Sequence, residues 1–137
     1  LVSSSAASDV YKRQGAIRPE DLITAIERAI ERAEAGNHNW SIRATLDELT
    51  GGKPPGQFAT LVHELGHQVH YWAGSPRRPN IASFMTEYSY TNKQEWHAEH
   101  FTAWLFNRKA LESWNPQVAK YFDDLLESAI NSNRKVH

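Results

Sequence analysis

Apolar side chains recur at helical spacing along three stretches of this chain. Between Pro19 and Ala35, Leu22, Ile23, Ile26, Ala29, Ile30 and Ala33 form one stripe, and Glu27, Arg28, Glu31, Arg32 and Glu34 form the opposite face. That pattern predicts an amphipathic helix with a solvated charged side, entered near Pro19 and closed by Gly36. Phe58, Leu61, Val62, Leu65, Val69 and Trp72 predict a second helix whose apolar side packs inward, between Pro54-Pro55-Gly56 and the Gly74/Pro76 stop. A third helix is expected from about Asn92 to Asn107. The fourth runs from Pro116 to Asn131, where Val118, Phe122, Leu125, Leu126, Ala129 and Ile130 line up behind an Asn115 N-cap.

Two stretches alternate instead. Trp40, Ile42, Ala44 and Leu46 predict a short strand before a loop from Asp47 to Pro55, and Phe84 to Tyr90 predicts an edge strand or extended segment. Ser75 to Asn80 reads as a loop whose Arg77 and Arg78 are solvated. Gly51-Gly52-Lys53 lacks the spacing and the following Ser or Thr of a phosphate loop. The expected fold is therefore mainly α, with one or two short strands.

Composition narrows the chemistry. Ser4 to Gln14 resembles a translated transposase sequencing adapter, so residues 1–14 are set aside as a non-native tail. Residues 15–137 are expected to form one domain, truncated at its N-terminus. They carry 13 basic and 15 acidic side chains, a balance that argues against a nucleic-acid footprint or a polybasic membrane surface. No apolar run is long enough to span a bilayer. There is no cysteine, so any zinc site must be built from histidine and carboxylate.

The second predicted helix contains His63-Glu64-x-x-His67. Residues i and i+4 of an α-helix lie about 40° apart around the axis and roughly 6 Å apart along it, so both imidazoles can meet one tetrahedral ion. Glu64, about 100° further round, is placed to take a proton from a water on that ion. A catalytic zinc has three protein ligands and an open position, so another donor is required. The extended HExxHxxGxxH motif does not supply it, because His70 and Ala73 stand where its Gly and third His belong. Downstream, Glu95 and Glu99 are again i and i+4 and share one helical face. One could bind zinc while the other accepts a ligand histidine's N–H. Asn92-x-x-Glu95 fits a helix capping arrangement equally well. His70, His97 and His100 are expected in structural or surface roles.

His63-Glu64-Leu65-Gly66-His67 followed by Ser89-Tyr90-Thr91-Asn92-x-x-Glu95-Trp96-x-Ala98-Glu99-x-Phe101 resembles the metallopeptidase domain of the anthrax lethal factor family. Similar domains occur in other bacterial toxins and in phage head-morphogenesis proteins. The resemblance covers roughly Thr60 to Phe106, and Tyr121 to Ser132 more loosely. It implies an α+β zincin-like fold of the gluzincin type, with the motif helix packed on a Glu-bearing helix and a C-terminal helix. It further implies a zinc metalloendopeptidase acting on a peptide or protein. His63, His67 and Glu95 would be the ligands, Glu64 the general base and Glu99 the partner of a ligand histidine. A tyrosine before the Glu-bearing helix would steady the oxyanion; Tyr90 is the nearest match and Tyr88 the second. The alternative is a non-catalytic module of a phage head or toxin protein, in which the metal ties helices together and Glu99 or His97 is a fourth ligand.

Overall fold

In a computed structural model, which describes residues 19–52 and 55–136, the chain is a bundle of helices. These are α1 (Pro19–Glu34), α2 (Ile42–Thr50), α3 (Pro55–Trp72), α4 (Lys93–Trp114) and α5 (Pro116–Val136), with one 3-10 turn at Tyr88–Tyr90. The 1–14 tail lies outside the described residues. None of the described helices is long and apolar enough to cross a membrane.

The predicted helices are present. On α1 the buried side chains are Leu22, Ala25, Ile26, Ala29 and Ile30, with Glu20 and Asp21 in the first turn, where the helix dipole favours negative charge. On α5 the Asn115 carboxamide oxygen accepts the N–H groups of Gln117 and Val118 at 3.1 and 3.3 Å, so the expected cap forms. The third predicted helix meets a break at its expected end: Asn107 leaves helical geometry at φ −151° and ψ 58°. Its side-chain oxygen then accepts the Ala110 N–H and starts a second helical half that runs to Trp114.

Both strand expectations are corrected. The segment from Ile42 is α2, because the Ser41 hydroxyl accepts the Ala44 N–H at 3.0 Å and caps a helix there. Its buried set is Ile42, Thr45 and Leu46, an i, i+3, i+4 pattern that the apparent alternation concealed. Among the described residues 84–90 there is no strand either. The Ser89 hydroxyl donates to the Thr86 carbonyl, and such side-chain bonds curl the backbone into a turn. That turn is clamped to the entrance of α2 by Glu87 N–H to Asn39 O and Tyr88 N–H to Trp40 O, both 2.8 Å.

Helix α4 is the centre of the bundle, packed against α1, α3 and α5. Its residues from Trp96 to Ala103 are all buried, polar ones included. Helix α3 packs on it and contributes Ala59, Val62 and Val69 to the buried core. The expectation that the whole apolar stripe of α3 packs inward is corrected: Leu61 is 66% and Leu65 45% exposed, and Trp72 is also at the surface. A helix crossing covers only part of a stripe that wide.

Gly66 sets the spacing of α3 and α4. A Cβ added there would stand 2.9 Å from the Ala98 Cα and 3.1 Å from the Phe101 Cδ1. Only a glycine allows the two backbones to approach this closely.

Candidate metal centre

The close crossing faces His63 and His67 of α3 toward Glu95 and Glu99 of α4. His63 Nε2 lies 2.8 Å from Glu95 Oε2, and His67 Nε2 lies 3.0 Å from Glu95 Oε1. The other ring nitrogen of His63, Nδ1, lies 3.0 Å from Glu99 Oε2. Glu95 thus meets both histidines, and Glu99, one turn further along α4, meets His63 alone.

The question of whether Glu95 caps its helix resolves into two separate groups. Asn92 caps α4 by accepting the Glu95 backbone N–H at 2.8 Å. The Glu95 carboxylate turns to the histidines, so only half of a reciprocal capping box is made.

Glu99 is 3% exposed yet fully engaged. Its Oε1 accepts the Ile42 N–H at 3.0 Å and the Thr86 hydroxyl at 2.9 Å, while Oε2 takes His63 Nδ1. The Ile42 amide belongs to the first turn of α2, where unpaired N–H groups and the helix dipole favour an anion.

Electrostatics bind the group together. Burial pulls the His63 pKa down, but hydrogen bonds and charge from Glu99 and then Glu95 outweigh it, and the net shift is upward. For Glu95 burial pushes upward, and the Tyr88 hydrogen bond together with His63 and His67 brings the net shift below the usual carboxylate range. The Tyr88 hydroxyl, donating to Glu95 and partly desolvated, is pushed up to about 12 and so stays protonated through the neutral range.

The other expected residues divide. Glu64 is solvent-exposed and lines a cavity of about 140 Å³ with Trp40, Thr60, His63 and Tyr88. Tyr90, expected at the centre, does not join it: its ring is 53% exposed, stacks 3.9 Å from Phe84 and meets His38 edge-on. The 3-10 turn sends alternate tyrosines to opposite sides, and Tyr88 is the one that packs on His63, with ring centroids 5.5 Å apart. His70, His97 and His100 are buried. Their ring nitrogens meet the carbonyls of Pro76, Lys93 and Trp96, as expected of structural histidines. Arg77 and Arg78 are exposed, as expected, and the Arg78 guanidinium also lies over the Phe84 ring at 4.4 Å.

His63, His67 and Glu95 each offer one donor atom, all within 4.8 Å of one another, and are the one such group among the described residues. Tetrahedral zinc with bonds of about 2.0–2.2 Å would hold its donors about 3.3 Å apart, so the two histidine–Glu95 contacts would open by a few tenths of an ångström on ligation. The chemistry of the donors also fits. With Glu99 taking the Nδ1–H of His63, Nε2 is the nitrogen that would present a lone pair once a metal replaced the proton it shares with Glu95.

Gly66, Thr86 and the Ile42 amide were not foreseen. A glycine inside an amphipathic helix was the available signal for Gly66, since it is unfavourable there unless a close approach requires it. Nothing local marks Thr86 or a backbone amide as partners of a carboxylate on another helix.

No protein-family model, curated protein or solved structure matches this chain.

Proposed function

We propose that this chain is a zinc-dependent metallopeptidase domain of the gluzincin type, similar to the lethal factor-like zincins, with a peptide or protein as substrate. The observation that carries it is the placement of one carboxylate, Glu95, between the Nε2 atoms of His63 and His67, with a second, Glu99, on Nδ1 of His63.

Zinc bound by His63, His67 and Glu95 would acidify its water to a pKa of about 7 and polarise the scissile carbonyl. The residues of the chain supply the remaining functions. Glu64, open to the cavity beside His63, accepts the proton of the attacking water and passes it to the departing amine. Tyr88, kept protonated, gives up its bond to Glu95 and donates its hydroxyl to the carbonyl oxygen as negative charge develops there. Glu99 accepts the His63 Nδ1–H and holds that ring in one tautomer and one orientation.

A non-catalytic, closed metal site would require a fourth protein ligand. Both candidates are engaged elsewhere: Glu99 serves Ile42, Thr86 and His63, and His97 Nε2 takes the Tyr121 hydroxyl at 2.6 Å. This favours an open position for water.

The test is zinc stoichiometry together with peptide hydrolysis for wild type and Glu64→Gln. Glu64→Gln is expected to bind one zinc and hydrolyse nothing; hydrolysis at the wild-type rate would overturn the proposal.

A further inference from the structure

Thr86 lies nine residues before Glu95 and is completely buried. Its hydroxyl has one proton and two partners. The Ser89 N–H points into Oγ1 at 3.3 Å, so an acceptor role is already filled, and the hydroxyl proton is directed to Glu99 Oε1 at 2.9 Å. Glu99 in turn holds His63. The same turn carries Tyr88, whose hydroxyl bonds to Glu95. Two carboxylates one helical turn apart therefore grip one short segment at two points, Glu99 at Thr86 and Glu95 at Tyr88.

We propose that Thr86 is a positioning residue of this centre: its hydroxyl holds the Glu99 carboxylate in the orientation that presents His63 to the metal, and holds the turn that presents Tyr88. The inference rests on the metal-site assignment above. Without the hydroxyl, Oε1 keeps only the Ile42 amide as donor in a buried site, and the carboxylate is free to turn about its Cγ–Cδ bond. Its bond to His63 Nδ1 then weakens, and the ring loses its preference for the Nδ1–H tautomer.

The experiment compares Thr86→Val, which keeps the shape and removes the hydroxyl, with Thr86→Ser, which keeps the hydroxyl. Zinc affinity is measured by chelator competition with the metal alone, and the His63 tautomer by ¹⁵N NMR of the zinc-bound full chain. Thr86→Val is expected to weaken zinc binding by about 10- to 100-fold, the usual range for partners of a ligand histidine, and to shift His63 toward a tautomer mixture. Thr86→Ser is expected to restore both. If Thr86→Val does not fold, Thr86→Ala removes the same hydroxyl without added bulk and is read in the same way. Zinc affinity and tautomer unchanged in the hydroxyl-free variant, or impaired equally in Thr86→Ser, overturns the proposal. Failure of wild type to bind zinc would instead overturn the metal-site assignment itself.

Discussion

Gly66 and Ala98 are in backbone contact: a Cβ on Gly66 would stand 2.9 Å from the Ala98 Cα, closer than real Cβ contacts come. Every distance in the candidate metal centre depends on that approach, because the histidines flank Gly66 on α3 and the carboxylates flank Ala98 on α4. Gly66→Ala should gain about 1 kcal/mol of helix propensity and lose more to overpacking, roughly 1–3 kcal/mol, while pushing His63 and His67 away from Glu95. Thermal unfolding with zinc titration checks this. A variant as stable as wild type with unchanged zinc affinity would show that the close crossing is dispensable.

Glu95 and Glu99 should separate clearly on substitution. Glu95→Ala is expected to weaken zinc binding by on the order of 100-fold or more, because it removes a charged ligand from a three-residue set. Glu99→Gln should cost about 10- to 100-fold through the His63 orientation. Isothermal titration of both variants decides the matter, and equal losses would contradict the distinct positions of the two carboxylates.

The two tyrosines of the 3-10 turn offer a paired comparison. Tyr88→Phe should leave zinc bound and lower kcat by about 10²–10³, the usual effect of removing one oxyanion donor. Tyr90→Phe should stay within about twofold of wild type, since its ring stacks on Phe84 away from the centre. Steady-state kinetics on one peptide serves for both, and a larger effect at Tyr90 would reverse the assignment.

Acid should loosen the core of the metal-free protein. Burial lowers the pKa of His100 to about 4 and of His97 to about 3, and it lowers that of His70 as well. A histidine whose folded pKa lies below its unfolded value stabilises the fold at neutral pH, and that contribution is lost as pH falls from about 6.5 toward 4. Each such group contributes a slope of up to about 1.4 kcal/mol per pH unit in that window. His63 runs the other way, since its raised pKa adds stability below about 6.5 that fades as pH rises through its folded value. Urea unfolding of metal-free wild type and His100→Phe at pH 7 and pH 5 measures the balance. The His100 variant is expected to lose less stability on acidification, and parallel losses would refute a neutral buried His100.

The features legible in the residues alone are local: where α1, α3, α4 and α5 run, how Asn115 and Gly36 bound them, and that two histidines and two carboxylates each occupy a single helical face. Periodicity and capping act within a few residues of chain, so they can be read without knowing the neighbours. Tertiary structure decided the remainder. The stretch after Ser41 alternates like a strand, yet it becomes α2, whose first turn is anchored on Glu99 fifty-seven residues away. Asn92-x-x-Glu95 is compatible with a cap or a ligand until the crossing at Gly66 brings His63 and His67 within hydrogen-bond range of the Glu95 carboxylate. Tyr88 and Tyr90 are indistinguishable by type and nearly so by position, and only the direction of the turn held by Thr86 and Ser89 separates them. Distances of about 3 Å between side chains on different helices depend on how closely the backbones pack, and no local pattern encodes that spacing.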